Sequence, residues 1–149
     1  MWRAHGTTPP FPLPEIFFAS PGGPNTLTGG YLYNQRVREG LRARGWTVHN
    51  VRLSGAFPFP AMDDLVETAH LLAQPGENAV IVIDGLALGA FNDAVLKAVR
   101  AKIVALVHHP LAEETGLEPT QVSVLFESER HALRSAVGVI VSSPHTRQS

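Results

Sequence analysis

Five short apolar runs divide the chain, and between them the apolar residues recur at helical spacing. EIFFAS (15–20), WTVHNVRL (46–53), AVIVID (79–84), KIVALVH (102–108) and GVIVSS (138–143) are rich in β-branched residues or phenylalanine and predict five strands. AVIVID and KIVALV are apolar almost throughout instead of alternating, the pattern of strands covered by helices on both faces. Between the strands, Tyr33, Val37 and Leu41 keep one helical face, with Gly45 where a helix C-terminus favours glycine. Met62, Leu65, Val66, Ala69, Leu72 and Ala73 form a second face, ended by Pro75-Gly76. A shorter helix is predicted over Phe91 to Val99. A longer one begins near Pro119, whose φ suits a first turn, with Val122, Leu125, Phe126, Ala132, Leu133 and Ala136 on its buried side.

Strand and helix in alternation, joined by connections of this length, predict an α/β domain: an open, mostly parallel sheet of about five to six strands with helices on both faces, Rossmann-like in kind. Residues 1–14 (MWRAHGTTPPFPLP) carry four prolines and no period, and predict an extended arm before a single domain over 15–149. Open parallel sheets bind ligands beyond the carboxyl ends of their strands, where the strand order reverses. The loops after Ser20, Leu53, Asp84, Val107 and Ser143 are therefore the places to look for chemistry.

Composition narrows the function classes. A chain of 149 residues that is 44% hydrophobic can bury one sizeable core. A net charge of −1 argues against a dedicated nucleic-acid binder, which needs clustered cations. There is no apolar run long enough to cross a bilayer and no basic-then-apolar leader pattern, which predicts a cytoplasmic protein. The absence of cysteine removes disulfides and thiolate metal sites together.

The loop after the first strand, SPGGPNTLTGG, packs four glycines and two prolines into eleven residues and leads into a helix. A helix start offers unpaired N–H groups and a partial positive charge, and Gly29 and Gly30 there would let a phosphate or a sugar approach bare backbone. The spacing is neither G-x-G-x-x-G nor followed by Gly-Lys-Ser/Thr, so a purely conformational turn is the competing reading. After the fourth strand comes LVHHPLAEETGLEP. His108 and His109 are consecutive on an extended segment and point in opposite directions, which disfavours joint ligation of one metal ion; no metal is expected. One histidine buried and hydrogen-bonded with the other solvated is the bland reading, and a histidine on the binding edge of the sheet is the functional one. Asp84 either caps the turn that follows it or faces the cleft. Ser143 precedes Pro144 as a plausible N-cap, which does not preclude ligand contact.

Taken together, three stretches resemble the N-terminal domain of glycosyltransferases of GT-B architecture, in particular the family-4 retaining enzymes. TLTGGYLYNQRVREGLRARGWTVHNVRL resembles the family's Gly-Gly turn, helix and strand; KIVALVHHPLAEETGL resembles its central strand ending in histidine; ESERHALRSAVGVIVSSPHTR resembles its closing helix and strand. The resemblance implies a cytoplasmic enzyme that moves a hexose from a nucleoside-diphosphate sugar to an acceptor, with no further cofactor. It places Gly29 and Gly30 against the donor diphosphate or the transferred sugar, and His108, or else His109, at that sugar. It also implies a second domain beyond Ser149, bearing most donor contacts and two glutamates separated by seven residues. Glu113 and Glu114 are not that pair, and Glu127 and Glu129 fall in a predicted helix. The chain is thus expected to be an acceptor-side half, inactive alone.

The segment after the glycine loop also carries Arg36, Arg38, Arg42 and Arg44, followed by Arg52, against the single acid Glu39. A solvated helix face is one reading; attraction to anionic lipid or to a phosphate-bearing acceptor is the other, and family-4 enzymes often use lipid-linked acceptors. One function outside the transferase class also fits the residues, a stand-alone flavodoxin-like or nucleotide-binding module; a metal-dependent hydrolase built on His108, His109 and Glu113 would need bound metal, which is not expected.

Overall fold

Residues 15–22 and 29–142 are described by a computed structural model of the chain. The predicted arm over 1–14, and Ser143, lie outside the described residues. The strands are β1 (Ile16–Pro21), β2 (Val48–Leu53), β3 (Val80–Asp84), β4 (Lys102–Val107) and β5 (Ala136–Val141). The helices are α1 (Gly29–Ala43), α2 (Met62–Leu72), α3 (Gly85–Leu88), α4 (Asp93–Ala98) and α5 (Pro119–Leu133), with a 3-10 turn at Leu111–Glu113. All five strands are parallel, in the order β2-β1-β3-β4-β5. The chain steps from β1 to β2 on one side and returns to β3 on the other, so the strand order reverses between β1 and β3.

Alternation of side chains across the pleat splits the core into two layers. Ala19, Ile81, Ile83, Ile103, Ala105 and Val107 face Leu72 of α2, Leu88 of α3, Val95 of α4 and Ala132 of α5. Ile16, Phe18, Val48, Val82 and Leu106 face Val37 and Leu41 of α1. Each large side chain fully removed from water here contributes about 1.5–3 kcal/mol of transfer free energy, which is why the near-continuous apolar runs became the central strands. The register Ile83↔Ala105 and Asp84↔Leu106 brings the ends of β3 and β4 level, so Asp84 and His108 emerge at the same edge.

Several helix faces differ from the predicted ones. Tyr33 is exposed, and buried Asn34 takes its place beside Val37 and Leu41, because the inward stripe of α1 is set one residue later by polar partners. In α2 the fully buried positions are Thr68 and Leu72, while Met62 and Val66 are exposed: Thr68 satisfies its hydroxyl by donating to Asp64 O at 2.7 Å and so packs inward. On α5 only Leu125 and Ala132 are buried, Val122 and Phe126 face outward, and Ala136 belongs to β5. The short α3 was not predicted. Asp84 initiates it by accepting a hydrogen bond from Leu86 N at 2.9 Å.

Candidate functional site

The carboxyl ends of β1, β3 and β4 and the first turns of α1 enclose a cavity of about 690 Å³. It opens at the strand-order reversal, where an open parallel sheet leaves a crevice. Its walls include Gly22, Gly30, Asn34, Phe57, Asp84, His108 and His109. The apolar Phe57 and Leu111 on the wall are anchored in the core. Leu111 is held by its own N–H, which donates to Glu129 Oε2 at 3.2 Å from α5. Burial raises the Glu129 carboxyl above its ordinary range, and the Leu111 hydrogen bond opposes that rise.

Three polar groups from three elements meet on the cavity wall. Asn34 Nδ2 donates to Asp84 Oδ2 at 2.6 Å, and Asn34 Oδ1 lies 2.9 Å from His108 Nε2. Asp84 is an acceptor only: one oxygen takes Leu86 N–H and the other takes the Asn34 amide, so both readings of this residue hold at once. That polarity orients the Asn34 carbonyl toward the imidazole. His108 Nε2 must then carry the proton, and Nδ1 is the nitrogen that holds a lone pair in the neutral ring. Asn34 and Asp84 are buried, so each bond lies in a poorly screened setting where a missing partner is costly.

His108 is pulled in two directions. Burial disfavours its charged form, Asp84 Oδ2 at 3.8 Å favours it, and His109 disfavours it again. Burial outweighs the carboxylate and holds the imidazole below its ordinary value of 6.5. The near partner of His108 Nε2 is the neutral carbonyl of Asn34, with the Asp84 carboxylate farther off at 3.8 Å. The ring is further bounded by the edge of Tyr33, with centroids 5.4 Å apart.

Gly30 touches the other side of this imidazole. A Cβ built on Gly30 would sit 3.2 Å from His108 Cδ2, closer than a side chain normally tolerates. Glycine at this position of α1 lets the ring approach this closely; a methyl here would press it back by a few tenths of an ångström. The first turn of α1 presents N–H groups without intrahelical partners to the same region.

Of the predicted site residues, Gly30, Asp84, His108 and His109 line one cavity, and Gly29 opens α1 beside them. His109 turns away from the Asn34 network and bonds Glu114 at 2.6 Å, half exposed. Ser143 lies outside the described residues; its neighbour Ser142 donates to His108 O at 3.3 Å. Among the described residues no three histidine, cysteine, aspartate or glutamate side chains are grouped to hold a metal ion. Asn34 was missed. Its signal was present, since it follows Gly30 by four and precedes Val37 and Leu41 by three and seven, a polar residue inside an inward helical stripe.

Arg36, Arg42 and Arg44 of α1 are exposed, as a solvated helix face requires, and Arg38 is half-buried. The Arg38 guanidinium lies 5.0 Å from the centre of the Phe18 ring, Arg42 donates to Val48 O at 3.1 Å, and Arg44 to Gly40 O at 3.3 Å. Among the described residues no helix is long and apolar enough to cross a membrane. No protein-family model matches the chain, and no curated protein matches it in sequence.

Proposed function

We propose that the chain is the acceptor-side domain of a GT-B, family-4 retaining glycosyltransferase that transfers a hexose from a nucleoside-diphosphate sugar. The observation that carries this reading is the contact between Gly30 and His108 across the cavity mouth, because the resemblance requires a bare helix start and a histidine in one cleft. In the transfer, the bond from the anomeric carbon to the diphosphate oxygen breaks, and an acceptor hydroxyl forms a new bond to that carbon and gives up its proton to the departing diphosphate. Negative charge grows on the leaving diphosphate while the anomeric carbon becomes oxocarbenium-like. The amides at the start of α1 suit the first charge. A neutral His108, held neutral by burial, suits the second, since an uncharged ring at the transferred sugar brings no positive charge beside a developing cation. The reading carries a cytoplasmic location and the need for a second, donor-binding domain with it.

The test is to follow the His108 ring resonances while titrating UDP-glucose and GDP-mannose into the chain. A shift of those resonances, lost in Gly30→Val, is expected; indifference of His108 to every nucleoside-diphosphate hexose tried would overturn the proposal. Turnover by the 149-residue chain alone is not expected.

The strand order favours a second reading. β2-β1-β3-β4-β5 is the order of flavodoxin-like modules, which bind their ligand at the β1/β3 reversal. Saturable quenching of FMN fluorescence by the chain, with no response to nucleotide sugars, would select it.

A further inference from the structure

Next to the cavity, on the β2 side of α1, is a smaller recess of about 230 Å³. Ser20, Pro21, Gly22 and Tyr31 line both spaces, so the recess opens onto the candidate site. Its remaining polar lining is Arg38 from α1 and Asn50 and Arg52 from β2, and no carboxylate is among its described lining residues. Arg52 lies along Gly22 so closely that a Cβ there would collide with its Nε and Cγ. Among the described residues neither guanidinium has a hydrogen-bond or salt-bridge partner. Glu39, the chain neighbour of Arg38, bonds Gln35 instead at 3.3 Å. Arg38 is partly buried, and burial is the main influence that lowers its affinity for its proton. Tyr31 and Glu39 act on Arg38 only through space, and two cations without a bonded counter-charge, one of them partly buried, are an arrangement that an anion would stabilise.

We propose that this recess holds a phosphomonoester carried by the acceptor substrate, gripped by Arg38 and Arg52 while the acceptor's hydroxyl reaches past Gly22 toward His108. Two guanidinium groups approaching from different elements match a compact dianion with several acceptor oxygens better than a single planar carboxylate. Naming the anion as the acceptor's rests on the transferase reading; the anion site itself rests on the two arginines.

The probe is methyl phosphate, titrated calorimetrically into the chain, with methanol as the uncharged control. Arg52→Gln and Arg38→Gln are each expected to weaken it by about tenfold or more, as loss of a charge-assisted bond does. Arg36→Gln, which changes net charge equally on the exposed face of α1, is expected to leave it unchanged. Gly22→Ala keeps every charge but displaces Arg52, and is expected to weaken binding as well, which serves if an arginine variant fails to fold. A second arm uses phosphatidylcholine vesicles with and without phosphatidic acid. Vesicle binding that depends on Arg52 but not Arg36 identifies the phosphate as a lipid headgroup, and binding of methyl phosphate alone identifies a small acceptor. No binding in either arm, or equal losses in the Arg36 and Arg52 variants, overturns the site. A chain that holds methyl phosphate through Arg52 while His108 ignores nucleotide sugars keeps the anion site and loses the transferase.

Discussion

Asn34 Oδ1 lies 2.9 Å from His108 Nε2, joining residues 74 positions apart in the chain. The contact ties the first turns of α1 to the end of β4 across the strand-order reversal, and through Asn34 it ties both to Asp84. The same amide orients the imidazole, selects its protonated nitrogen and sits between it and the Asp84 carboxylate.

Asn34→Ala should therefore lower stability by about 1–3 kcal/mol, the usual cost of leaving buried hydrogen-bonding groups without partners. Urea unfolding checks this, with an unchanged m value expected. Asn34→Ala combined with Asp84→Ala should cost less than the sum of the two single changes, because they share one network.

The depressed His108 value fixes the sign of a pH effect. A histidine whose folded value lies below 6.5 binds protons more readily when unfolded, so its contribution to stability is fully present above that pH and is lost as pH falls through the folded value. Stability should decline on acidification below 6.5 with a slope that flattens in His108→Gln. A proton titration of the His108 ring resonances gives the folded value directly.

Glu129 runs the other way. Its carboxyl is raised above 4.5 by burial, so the folded state holds its proton more tightly and stability from this group is lost as pH rises through the folded value. Glu129→Gln keeps an acceptor for Leu111 N–H and removes the buried charge. A gain of up to about 1 kcal/mol at neutral pH is expected, the size of an ordinary hydrogen-bond difference, disappearing in acid. Thermal unfolding at two pH values tests it.

Gly30→Ala separates folding from binding. Alanine favours a helix by up to about 1 kcal/mol over glycine, and that gain offsets the cost of a methyl 3.2 Å from His108 Cδ2. The unfolding midpoint should move little while the His108 resonances shift and their response to a nucleotide sugar weakens. A variant that binds as the wild type does would show that the contact does not shape the site.

Much of the fold was legible along the chain because burial in an open parallel sheet is a local pattern. AVIVID and KIVALV had no polar face to give to water, so they became β3 and β4, within a residue of the predicted bounds. Where local pattern misled, a polar partner decided the outcome: Thr68 packs inward by bonding its own helix, and Asn34 displaces Tyr33 from the inner face of α1.

The candidate site was legible only as parts. Periodicity alone marked Gly30, Asp84 and His108 as strand-end or helix-start residues, since such positions follow from where each apolar run stops. Only the tertiary structure chose the strand order, brought those three ends to one edge, and placed Asn34 among them. Hydrogen bonds between distant residues depend on which elements become neighbours, and neighbour choice is a property of the packed whole that no single window of the chain contains.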